Sequence, residues 1–250
     1  MNETFNYTKA VKTNVLRILK PAFKKGMLYI RPEDKKIGMR TAIMWDTPWI
    51  HAGGNNPQER NCALFHQLML PHCKFIPAKC QECWKVVARP KTVTQLFTIS
   101  EVQQSEGRDS KAGIELRSSV GGNYGAYWYN DSIEEGEECR KYVQGLCDEH
   151  LEPGIDVFLK RGCTEFEHKY GQSIDWEITP DAEEVEKIIT DMIVMEDPGD
   201  RKQPDYLMEE IKMKWVEFAF ERGDKTYLEY TDGLPLYPDY VKYESKEDDV

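Results

Sequence analysis

The stretch Cys80-Gln81-Glu82-Cys83-Trp84-Lys85-Val86-Val87-Ala88-Arg89-Pro90 runs from a C-x2-C pair straight into a short apolar strand, and Cys73 stands seven positions before it. Two thiols at this spacing sit on a tight knuckle from which both can reach one tetrahedral zinc ion. The strand opens a βαββαβ order. Trp84 to Arg89 is the first strand, and Thr92 with Gln95 forms a capping box. Val93, Leu96, Ile99 and Val102 then stripe a helix over about residues 93–104. Gly107 to Lys111 is a turn. Gly113 to Ser118 alternates as the second strand, with Ile114 and Leu116 on one side and Glu115 and Arg117 on the other. Gly121-Gly122-Asn123 turns the chain into a third strand, Tyr124 to Asn130. Ser132 and Glu135 repeat the capping box and start a helix to about Leu151, striped by Cys139, Val143, Leu146, Cys147 and His150. Cys139 and Cys147 share its apolar face and are read as buried thiols. Beyond Pro153-Gly154, Ile155 to Arg161 is the fourth strand.

This order predicts an α+β fold with a ferredoxin-like antiparallel sheet, strand order 4-1-3-2. The first and last strands are then neighbours, and Cys163 arrives beside the C-x2-C knuckle. The expectation is a closed structural zinc site of Cys73, Cys80, Cys83 and Cys163, with His72 next in line. Cys62 and His66 stand at i, i+4 on a helix expected from Glu59 to Leu70, a spacing that also permits joint ligation. Their stripe, continued by Met69, is read as core.

Residues 80–90, together with Leu159-Lys160-Arg161-Gly162-Cys163-Thr164-Glu165-Phe166-Glu167, resemble segments of uncharacterised tailed-bacteriophage proteins. The resemblance implies a phage or mobile-element setting. It carries no activity and no functional residues.

Three regions follow: an N-terminal extension with the knuckle (1–83), the sheet core (84–170), and an acidic helical region packed on the core (171–250). In the extension, Met27 to Ile30 reads as a short strand. Trp45, Trp49 and His51 precede the turn-rich Gly53-Gly54-Asn55-Asn56-Pro57; the group suits a binding pocket, and the favoured reading is that it packs a long loop onto the domain. Thr164 to His168 is read as extended or turn. Pro180 starts a helix to about Glu196, and Pro204 opens another striped by Leu207, Ile211, Trp215 and Phe218. No apolar run nears the roughly 18 residues of a membrane span, and the first twenty residues lack a signal peptide's apolar core. A cytoplasmic location is expected, with the seven cysteines serving as metal ligands and buried thiols more than as disulfides.

Charge separates along the chain: +7 over residues 1–40, +2 over 41–130 and −20 over 131–250. The sheet face turned from the helices is expected to carry Lys85 and Arg89, Glu115 and Arg117, Tyr127 and Tyr129, and Phe158 and Lys160. Rings interleaved with cations suit single-stranded nucleic acid, because rings stack bases while cations hold phosphates. The predicted nucleic-acid contacts are therefore Lys85, Arg89, Arg117, Tyr127, Tyr129, Phe158 and Lys160. Two other classes stand beside this one. The acidic half is also suited to a basic protein partner. Glu165, Glu167 and His168 beside Glu115 are also the donor types of a divalent-metal enzyme. No phosphate loop, nucleophile elbow or H-E-x-x-H motif supports the latter.

Overall fold

The computed structural model describes residues 19–40, 46–53, 62, 64–72, 76–178, 180–196 and 202–237. In chain order its strands are β1 (Leu28–Ile30), β2 (Ile37–Met39), β3 (Trp49–Ala52), β4 (Trp84–Arg89), β5 (Ser110–Ile114), β6 (Tyr124–Asn130), β7 (Asp156–Arg161) and β8 (Ile193–Met195). A π-helix covers Leu64–Met69 and runs into a single α-helical turn, Leu70–His72. The longer α-helical elements are α1 (Ala78–Gln81), α2 (Val93–Glu106), α3 (Ile133–His150), α4 (Thr164–Tyr170), α5 (Pro180–Met192) and α6 (Asp205–Glu221). The fold is mixed α+β.

The main sheet runs β3-β5-β6-β4-β7, every pair antiparallel. β4 and β7 are neighbours, with Trp84 opposite Arg161 and Arg89 opposite Asp156. The local chemistry explains the helices on one face. Thr92 Oγ1 accepts from Gln95 N at 3.2 Å and Ser132 Oγ accepts from Glu135 N at 3.1 Å, so both capping hydroxyls work as spaced. Gly107, at φ +67°, ends α2 in the left-handed conformation. Val86, Ala88, Ala126 and Trp128 of the sheet pack with Leu96, Ile99, Val143 and the buried Cys139 and Cys147. Ile211, Trp215 and Phe218 of α6 close the same core, so the C-terminal region is integral to it.

The N-terminal segment does more than extend the chain. β1, β2 and β8 form a second small sheet, with β2 antiparallel to β1 and parallel to β8. Leu64, Phe65, Leu68 and Met69 join Phe166, Trp176 and Ile189 in a second core.

Four local expectations change. The second strand begins at Ser110 and ends at Ile114, because β3 pairs with it in register from Ala52↔Ser110 to Trp49↔Gly113. Glu115 then leaves the ladder to bind Arg117, and Leu116 is exposed. Gly113 is required at the β3 contact, since a Cβ there would lie 2.2 Å from the Pro48 carbonyl oxygen. Residues 164–170 form helix α4, not an extended segment: Phe166 is fully buried, and Glu165 and Glu167 sit in the first turn, where the helix dipole favours them. The helix from Pro180 stops at Met192, where Ile193–Met195 pairs with β2. Finally, His150, placed in the α3 core stripe by periodicity, is exposed at the helix end.

Candidate functional site

The sheet face turned from the α2–α3 core is not open. The N-terminal segment and α4 wall it into a pocket of about 800 Å³. All seven residues expected to face nucleic acid line it: Lys85 and Arg89 from β4, Tyr127 and Tyr129 from β6, Phe158 and Lys160 from β7, and Arg117 from the loop after β5. Alternation accounts for six of them, since their neighbours Val86, Ala88, Ala126 and Trp128 point into the opposite core. Arg117 reaches the pocket from outside the ladder.

Cations and rings alternate across this surface. Lys85 Nζ lies 5.8 Å from the Tyr129 ring centroid, and the Arg89 guanidinium lies 5.8 Å from that of Phe158. Lys111, which the displaced second strand hid from sequence reasoning, stands 4.5 Å over Trp49 and 5.7 Å over Tyr127. Alternation from Ile114 backward would have found it, had the strand been extended towards Ser110. Trp49 and Tyr127 meet edge to face at 5.4 Å. Trp49 and His51 belong to β3, where His51 lines the pocket and Trp49 packs behind Lys111 and Tyr127, while Trp45 lies outside the described residues.

The charges fall into two groups. Arg117 binds Glu115 through Nε and Nη2 at 2.8 and 2.7 Å, and Glu165 through Nη1 at 2.7 Å. Lys160 pairs with Glu167. Glu115, Glu165 and Glu167, the three carboxylates expected at a divalent-metal centre, are thus each held by a cation. Among the described residues, Arg89 and Lys111 have no such partner. Among the described residues, no hydrogen-bond partner stands opposite the buried Arg89 Nη1 or the buried Tyr127 hydroxyl. Burial, and then the Lys85 ammonium, pull Lys111 down to about 8. Burial and Lys111 together hold His51 neutral, at about 3.

The same pocket also carries sulfur. Cys62, Cys80, Cys83 and Cys163 line it together with His66. Gly162 makes the approach possible: its N–H donates to the Cys83 carbonyl at 2.7 Å, and its φ of +64° sets the turn after β7. Lys85 Nζ donates to Cys163 Sγ at 2.7 Å. Burial would push the Cys163 thiol up, but the Lys85 charge and a hydrogen bond with His66 outweigh it and hold it at about 6. Burial, then the neighbouring Cys163, Cys62 and Cys83, drive Cys80 far upward.

The expected zinc ligands are therefore only partly placed. Cys80, Cys83 and Cys163 all line the pocket, while Cys73 lies outside the described residues. Cys62 and His66, expected in a core stripe, instead face the pocket half-buried, because the wider π-helix directs Leu64, Phe65, Leu68 and Met69 to the core. Among the described residues, no three His, Cys, Asp or Glu side chains are already gathered around a metal position. No described helix is long and apolar enough to cross a membrane. Comparison with protein-family models, curated proteins and solved structures found no match, so the reading of this site rests on its own chemistry.

Proposed function

We propose that the pocket binds single-stranded nucleic acid, taking a strand end or a short looped-out segment in preference to a strand laid along an open sheet. The observation that carries this reading is the buried pair Arg89 Nη1 and Tyr127 hydroxyl, unpartnered among the described residues, beside Lys111. A buried donor without an acceptor costs about 1–3 kcal/mol, and an anion supplies what the protein withholds. Phosphate matches guanidinium and hydroxyl donors, and the adjacent Tyr129 and Phe158 rings offer surfaces on which bases stack. The enclosure narrows the earlier expectation, since about 800 Å³ accommodates little more than one or two nucleotides. We read the β7-β4-β6-β5 order as the ferredoxin-like unit, with β3 added at its edge, and the protein as an accessory factor of a phage or mobile element.

The test is fluorescence anisotropy with labelled single-stranded oligonucleotides across a salt series. Binding should weaken with salt by a log–log slope of about −0.7 per phosphate contacted. The double variant Arg89→Ala, Tyr127→Phe should lose at least tenfold in affinity while keeping a cooperative melting transition. Binding that is insensitive to both salt and the double variant would overturn the proposal.

A further inference from the structure

The cysteine wall has a composition that anion binding does not use. Four thiols from three chain segments line the same pocket: Cys62 before the π-helix, Cys80 and Cys83 on the knuckle, and Cys163 after β7, and Cys80 feels the charge of the other three. None is in a disulfide. Gly162 leaves room for this approach: a Cβ on it would lie 2.4 Å from the Trp176 ring and 3.3 Å from the Cys80 carbonyl oxygen. Cys139 and Cys147, by contrast, are packed in the α2–α3 core among aliphatic side chains.

We infer that this wall is a thiolate metal centre of the zinc type, and that Cys62 is one of its four ligands alongside Cys80, Cys83 and Cys163. Tetrahedral all-sulfur coordination is the usual closed structural site, and C-x2-C is its commonest half. A zinc ion with four thiolates carries a net charge of −2, which needs compensation where it is half-buried. Lys85 provides it: its ammonium already donates to Cys163 Sγ at 2.7 Å. Such N–H···S donors outside the coordination shell hold ligand sulfur in place and temper its charge. The ligands are near one another without being gathered around a point, so metal uptake must draw them inward. Binding is then coupled to ordering of the wall. His66, hydrogen-bonded to Cys163, sits beside the centre as an orienting group.

Cobalt(II) titration of the reduced, metal-free full chain tests this. The expected result is one ion per chain, with intense tetrahedral d–d bands and a sulfur-to-cobalt charge-transfer band, all displaced by zinc. Cys62→Ser should remove about a quarter of the charge-transfer intensity, one ligand in four. Cys139→Ser, outside the wall, should leave the intensity unchanged. Lys85→Met should weaken cobalt affinity about 10–100-fold with the band positions kept. Absence of tetrahedral cobalt binding overturns the inference. So does a quarter of the intensity lost on Cys73→Ser and not on Cys62→Ser, which would restore the ligand set expected from spacing. Oligonucleotide binding by the metal-free chain is measured separately, so the two proposals can fail independently.

Discussion

Lys85 Nζ and Cys163 Sγ lie 2.7 Å apart, and this contact joins the cations of the pocket to its sulfur. Lys85 comes from the first strand of the central unit and Cys163 follows the last, so the pair exists only because β4 and β7 are adjacent. In the metal-free chain the contact keeps Cys163 ionised down to about 6, against an ordinary thiol value of 9.0. A lowered acid pKa stabilises the fold fully above the unfolded value, and that contribution is lost as pH falls through the folded one. The expected outcome is iodoacetamide labelling of Cys163 with a midpoint near 6, read residue by residue by mass spectrometry. Lys85→Met should move that midpoint upward. An unmoved midpoint would show that Lys85 does not govern the thiol.

Lys111 gives the opposite sign. Its amine is pulled from 10.5 to about 8, so between those values the unfolded chain binds a proton that the folded chain does not. Stability therefore rises with pH across that window, and Lys111 destabilises the unliganded protein below it. An anionic ligand reverses the balance by pairing the ammonium. Oligonucleotide affinity should fall as pH rises through 8. Lys111→Met should abolish that pH dependence, reduce the salt slope by about 0.7, and raise the melting temperature of the free protein. Retained pH dependence in the variant would remove Lys111 from the site.

Legibility in the sequence followed the strength of local signals. Strands β4, β6 and β7 and helices α2, α3 and α6 announce themselves through capping boxes, clean alternation and wide apolar stripes, and the strand order that unites Cys83 with Gly162 follows from them. The elements that were misread have weak local signals and strong tertiary ones. Ser110-Lys111-Ala112-Gly113-Ile114 is a strand because β3 arrives from sixty residues earlier to pair with it. Thr164–Tyr170 is helical because Phe166 fills a core built by the N-terminal segment, which no window around residue 166 contains. The same long-range packing turned an open face into a pocket and moved Cys62 and His66 from an assumed core to its wall.

Gly162 tests the knuckle's geometry. Its φ of +64° is costly for any other residue, and an added Cβ would press on the Trp176 ring at 2.4 Å. Gly162→Ala should destabilise the fold by about 1–3 kcal/mol in urea denaturation. Because Cys163 follows directly, the variant should also broaden the Cys163 labelling midpoint. A variant as stable as the parent would mean that the turn relaxes without loss.

The acidic C-terminal half bears on the reading of this protein as a module for basic partners. A tail acting by charge alone should be separable from the fold, and α6 is not. Trp215 is fully buried, its Nε1 donates to the Pro48 carbonyl at 2.9 Å, and its ring meets Phe97 edge to face at 5.6 Å. Just beyond the helix, Asp224 Oδ2 accepts from Val93 N at 2.6 Å and from the Tyr124 hydroxyl at 2.7 Å, tying the segment to the start of α2. Trp215→Ala should therefore cost about 3–5 kcal/mol, and removal of residues 204–250 should unfold the main sheet. Charge reversal on the solvent side of α6, such as Glu209→Lys with Glu210→Lys, should leave the urea midpoint within about 0.5 kcal/mol of the parent. Partner capture lost on truncation is then uninformative, and capture lost on charge reversal is the result that counts. A truncated chain that kept its circular-dichroism spectrum and melting transition would contradict the buried role assigned to Trp215.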